Sequence, residues 1–148
     1  MSLWKKLFKA ETDNRVDYYR EGLELLGVGQ YHEALTSFRL ALREAPRDHA
    51  VLQQMAITYT RIGMTDEAIK MYRSVLEKDE SVPGAHYGLA FLLLREGRSE
   101  EAMRHLSAFL ARPPQGPEAH RHIEHARQTM AELKEKGGGP TAATAEGP

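Results

Sequence analysis

The chain has 148 residues, enough for one domain, with 41% hydrophobic and 28% charged residues and a net charge of −1. That balance leaves no global basic field to attract nucleic acid. The absence of cysteine excludes a thiol catalyst, a disulfide framework and a cysteine-based zinc site.

Residues 1–14 form a lead-in with a short amphipathic stretch. Leu3, Trp4, Leu7 and Phe8 fall on one helical face, and Lys5, Lys6 and Lys9 fall largely on the other. Burying the four apolar side chains gains roughly 6–12 kcal/mol gross. Ordering about ten residues costs a similar amount, so the segment is expected to order on something else. The candidates are anionic lipid, the chain's own surface, or a partner in a larger complex. Lysines without a continuous apolar run behind them do not read as a secretory signal peptide. The longest wholly apolar run, Leu89 to Leu94, is too short to span a membrane. The expected location is cytoplasmic, peripheral at a membrane if the N-terminal helix meets lipid.

From residue 15 a period of 34 takes over. Gly29, Gly63 and Gly97 keep that step, as do Glu33, Glu67 and Glu101, and Ala34, Ala68 and Ala102. Leu42, Leu76 and Leu110 do the same. A fixed step of this size marks a repeat architecture. The units are 15–48, 49–82 and 83–116, and each reads as two helices joined at its glycine, which supplies the positive φ that lets the chain reverse. Thr65 and Ser99 stand where helix N-caps are expected. Pro46 and Pro114 mark stops, and Pro83 and Pro117 fit the first turn of the next helix. The alanines allow the two helices of a unit to approach closely, so leucine at Ala68 should overpack the contact by roughly 1–3 kcal/mol.

Residues 117–136 read as one more helix. Ala119 and His120 echo Ala85 and His86 before polar residues take over, as in a terminal cap with one wet face. Residues 137–148, opening Gly137-Gly138-Gly139-Pro140, are expected to be a disordered tail.

These units resemble the tetratricopeptide repeat family, whose pattern is W-x2-L-G-x2-Y, then A-x3-F, a second small residue and a closing proline. Unit one offers Tyr18, Glu21, Gly22, Leu25, Ala34, Phe38, Ala41 and Pro46; unit two offers Leu52, Met55, Ala56, Tyr59, Ala68, Tyr72, Val75 and Glu80. Unit three offers His86, Leu89, Ala90, Leu93, Ala102, Leu106, Phe109 and Pro114. Glu21 replaces an apolar residue and is expected to face water, because no unit precedes it. Glu80 replaces a closing proline. The resemblance implies an all-α right-handed superhelix of three antiparallel helical hairpins with a C-terminal capping helix.

Beyond the packing positions, the first helices carry a second stripe. Val16, Tyr19, Leu23 and Leu26 form it in unit one, Gln53, Ile57 and Thr60 in unit two, and Tyr87, Phe91 and Leu94 in unit three. In the resembled fold this stripe lines the concave groove. An apolar groove of this kind suits an apolar peptide or amphipathic helix, with Gln53 as a polar orienter. Its alternative occupants are the chain's own termini or a second copy. Family members that act as co-chaperones grip carboxylates with lysine, arginine and asparagine. Here Arg61 and Arg95, at the stripe's edge, are the sole donors of that class.

His122 and His125 are close enough on a helix to share a metal, but the spacing is wrong for H-x-x-E-H, since residue 121 is arginine. A solvated face of the capping helix is the expected reading, with no metal and no cofactor. His86 and His120 are expected at helix-packing positions. No nucleotide-binding loop or catalytic constellation appears. The sequence therefore predicts a non-catalytic scaffold or assembly factor. Its rivals are a soluble chaperone like the three-repeat bacterial secretion chaperones and a structural subunit of a larger assembly.

Overall fold

The computed structural model describes residues 16–145, with side chains through residue 137. Seven helices, and no strand, occur among the described residues: α1 Tyr18–Gly27, α2 Tyr31–Glu44, α3 His49–Ile62, α4 Thr65–Lys78, α5 Pro83–Arg95, α6 Ser99–Ala111 and α7 Ala119–Ala145. The first six form three antiparallel hairpins, α1–α2, α3–α4 and α5–α6, and α7 packs on α6.

Each hairpin turns on its periodic glycine. Gly29, Gly63 and Gly97 have φ of 83°, 93° and 76°, a left-handed conformation that only glycine adopts without strain. The reversal is so tight that the next helix starts one residue sooner than the capping pattern predicts. Thr65 and Ser99 are therefore the first helical residues, and the cap positions fall on Met64 and Arg98, which make no side-chain capping bond. The periodic glutamate serves this helix end. Glu33, Glu67 and Glu101 each lie in the first turn of a second helix, where a carboxylate faces the partial positive charge of the free N–H groups. At the starts of α1 and α3, Asp17 and Asp48 do cap, accepting from the Arg20 and Ala50 N–H groups at 3.1 and 2.9 Å. Pro83 opens α5, whereas Pro117 lies in the turn before α7, two residues short of the helix.

Small residues set the interhelix spacing. A Cβ on Gly22 would lie 2.5 Å from the Phe38 ring, and one on Gly88 would lie 2.4 Å from the Tyr72 ring. Ala34, Ala56, Ala68, Ala90 and Ala102 are completely buried at the same kind of contact. Burial pushes the Tyr72 phenol up to about 12, against the opposing effect of its hydrogen bond with the Thr60 side chain. Glu21 is exposed, as expected.

Two apolar clusters result. The larger runs from Ala34 to Ala102 through all three hairpins. The smaller joins Ala90, Leu106 and Phe109 to Ala126 and Met130 of α7. An ion pair ties α4 to α6, with Arg73 donating to Glu101 at 2.7 Å. That bond, reinforced by Arg98, holds the Glu101 carboxyl below its ordinary range.

α7 remains helical to Ala145 and so passes the boundary expected at 136. In a helix interior each glycine costs about 1 kcal/mol and a proline about 3 kcal/mol relative to alanine. Nothing in the local sequence accounts for the extension.

Candidate protein-binding groove

The first helices of neighbouring units touch each other, α1 with α3 and α3 with α5. Each second helix packs on the first helix of the next unit. The first helices therefore line the inner side of the superhelix, and the second stripe of the sequence lies on them.

None of the stripe residues is fully buried. Val16 and Leu23 are 50% and 37% exposed, and Tyr19, Leu26, Gln53, Ile57, Thr60, Tyr87, Phe91 and Leu94 are half-buried. Tyr19, Leu26, Ile57 and Leu94 rest their inner sides on the main cluster. Tyr19 also meets the Phe38 ring at 6.1 Å. The Gln53 amide lies over the first turn of α5, where a Cβ on Gly84 would come 2.2 Å from its Nε2. The Thr60 hydroxyl donates to the Ala56 carbonyl at 2.8 Å, so its one proton is spent on the helix. Arg61 and Arg95 are exposed.

The stripe is not uniform along its length. At unit three it is covered by α7. The Tyr87 hydroxyl lies 2.7 Å from His125 Nδ1, and the His125 ring stacks on Phe91 with centroids 4.5 Å apart and planes within 6°. His122 meets Tyr87 edge-on at 5.0 Å, and burial raises the Tyr87 phenol. His122 and His125 are exposed, as on a solvated face, but both rings also lie against the groove aromatics. The signal was present in the spacing. Ala119, Ile123, Ala126, Met130 and Leu133 form the inward stripe of α7, and His122 and His125 flank it on one side. Among the described residues, no group of three or more metal-ligating side chains occurs. His86 does lie in a helix contact, with its Nδ1 3.0 Å from that of His105. His120 is exposed instead, because the inward stripe of α7 runs through Ala119. Leu3, Trp4, Lys5, Lys6, Leu7, Phe8 and Lys9 fall outside the described residues.

Stacked helical hairpins with a part-exposed apolar inner row define a helical-repeat array. A model of the protein kinase G tetratricopeptide repeat matches residues 2–141, and the chain belongs to that family. The photosystem I assembly protein Ycf3 of Prochlorococcus marinus is 32% identical over 87 residues, 57% of this chain and 50% of that protein. The chain thus spans about half the length of the curated relatives it matches. Among solved structures, the Yersinia enterocolitica type III secretion chaperone SycD, in complex with a peptide of the translocator YopD, superposes with a TM-score of 0.75. It is 20% identical, over 80% of this chain and 91% of that one. A type III secretion complex from Aeromonas hydrophila gives 0.73 at 19% identity, over 86% and 87%. Among the described residues, no helix is long and apolar enough to cross a membrane.

Proposed function

We propose that this chain is a non-catalytic scaffold or assembly factor that holds an apolar peptide, or one face of an amphipathic helix, along its inner row. The observation that carries this reading is the part-exposed run from Val16, Tyr19 and Leu23 on α1 to Ile57 on α3. Such a row in water is a site for a partner's apolar side chains. SycD, solved with a translocator peptide, and Ycf3, an assembly protein by name, support a role of this class. The rival reading, a chaperone that shields an apolar client segment, is supported by the likeness of fold to SycD, a secretion chaperone by name.

A displayed peptide library selected on the intact chain tests the reading. Winning peptides should carry apolar residues at helical or alternating spacing. Changing Leu23→Lys and Ile57→Lys together should weaken them at least about tenfold, since each desolvates an ammonium against an apolar ligand. Both positions are part-exposed, so the fold should survive. Undiminished binding by the folded variant would sink the proposal.

Docking by residues 3–9, on a membrane surface or a larger complex, is the second half of the proposal and is read from their amphipathic pattern. Trp4 is the sole tryptophan. Its emission should move to the blue when vesicles containing phosphatidylserine are added, and stay put with neutral vesicles. Emission indifferent to both vesicle types would remove the lipid arm.

A further inference from the structure

Unit three departs from unit two at a pair of positions in its hairpin. Leu52 of α3 and Met71 of α4 occupy the two register positions that, 34 residues later, hold His86 of α5 and His105 of α6. Leu52 belongs to the main cluster and Met71 packs against it. The hairpin therefore needs only apolar bulk there, yet unit three supplies two imidazoles.

The geometry fixes the protons. His86 Nε2 is 2.6 Å from the Glu80 carbonyl oxygen. A carbonyl can only accept, so Nε2 carries a hydrogen. Neutral His86 then has a bare Nδ1, and the His105 Nδ1 at 3.0 Å must donate to it. The ring centroids are 5.3 Å apart, the separation expected when the two nitrogens meet head-on along the line joining the rings. Such lone pairs do not converge on a third point, so this is a hydrogen bond and not half of a metal chelate.

One added proton enters at His105 Nε2 and leaves both bonds intact. A second has only His86 Nδ1 to occupy. Two N–H donors, each on a charged ring, would then face each other at hydrogen-bond distance. The surrounding charges do not offset this. From α4 come Arg73, Glu77 and Lys78, from the loop Asp79 and Glu80, from α6 Glu101 and Arg104, and from just past its end Arg112. Glu101 is already engaged by Arg73 and Arg98, and Ser81 holds Asp79 and its carboxyl below the ordinary range. Burial and the neighbouring His86 lower His105 from the usual imidazole value, against the pull of Glu101 and with help from Arg73 and Arg104. Open cavities of about 580 and 530 Å³ flank the pair and give the rings water to turn into.

We propose that His86 and His105 form a proton-operated joint in unit three: closed while the pair holds no more than one added proton, and driven open when both rings are charged. Through Glu80 the joint also fastens the start of α5 to the loop from unit two, and α5 carries Tyr87 and Phe91 to the groove. This does not depend on what the groove binds. The sign follows from the second proton: two charged rings cannot keep facing N–H groups at hydrogen-bond distance, so the folded chain resists the doubly protonated pair. The stabilisation is complete above the ordinary imidazole range and is lost as pH falls through it and below.

The test is a long-range ¹H–¹⁵N imidazole titration of the intact chain from about pH 8 to about pH 4, with unfolding midpoints measured alongside. At the alkaline end His86 should be the Nε2–H tautomer and His105 the Nδ1–H tautomer. The pair should titrate in two separate steps. The double variant His86→Leu with His105→Met borrows the unit-two contact. It should match or exceed the wild-type midpoint at pH 8 and lose most of the acid-induced fall. Rings that show mixed tautomers and titrate in one common step would overturn the proposal, as would a double variant with unchanged acid sensitivity. Should the variant not fold, the wild-type tautomers and steps decide alone.

Discussion

Replacing Phe38 by alanine should lower the free energy of unfolding by about 3–5 kcal/mol, the range for losing a buried phenylalanine side chain. The upper half of that range is expected. Phe38 is completely buried, and its ring lies where Gly22 has no side chain, so a Cβ on that glycine would come within 2.5 Å of it. With the ring gone, the nearest wall of the cavity is bare backbone and has no side chain to swing inward. Tyr19, 6.1 Å away, can fill the space only by leaving the groove. Denaturant unfolding followed by far-UV circular dichroism measures the loss. A fall of less than about 1.5 kcal/mol would mean that unit one collapses onto the gap. Gly22→Ala gives the complementary half of a double-mutant cycle. Alone it forces the Phe38 ring to move and destabilises; in the Phe38→Ala background it adds a methyl group to the empty space and should recover part of the loss.

The 34-residue step made the hairpins and their turns legible because each repeated residue has a local task. Gly29, Gly63 and Gly97 take the left-handed φ, the alanines set the helix spacing, and Glu33, Glu67 and Glu101 face helix N-termini. That the second-stripe residues sit part-exposed on the first helices was legible for the same reason, since residues beside the packing stripe at helical spacing must lie on one face. What the sequence left open depends on contacts across distance. Nothing local says that His125 of α7 will lie on Phe91, 34 residues earlier but on another helix. The capping helix could be read as half wet and half dry, but its rotation about its own axis is set by how Ala126 and Met130 fit against Phe109. His86 and His105 were separately visible as histidines, and only the hairpin closure brings their Nδ1 atoms to 3.0 Å. The caps at Thr65 and Ser99 failed by one residue because the tightness of a glycine turn is a backbone property that the cap pattern does not encode.

Phe109→Ala should cost a similar 3–5 kcal/mol, but the loss should be local. Phe109 is 1% exposed and sits at the centre of the smaller cluster, between Ala90 and Leu106 of unit three and Ala126 and Met130 of α7. In a stacked-repeat protein each element is stabilised mainly by its neighbours, so a defect at the last interface weakens that interface and leaves distant units nearly intact. Amide hydrogen exchange should rise sharply across α7 and the second half of α6, and change little in α1 to α3. The Tyr87 ring, 5.1 Å from Phe109, loses its support, and with it the Tyr87–His125 hydrogen bond and the His125 stack on Phe91. The unit-three end of the groove then opens to water. If α7 serves only to cover that end, library peptides should bind the variant at least as well as the wild type, and along a longer apolar row. Weaker binding by a variant whose α1 to α3 remain protected would instead make His122 and His125 part of the surface that receives the peptide. A uniform rise in exchange along the whole chain would contradict the nearest-neighbour picture and place Phe109 in a single core shared by all three hairpins.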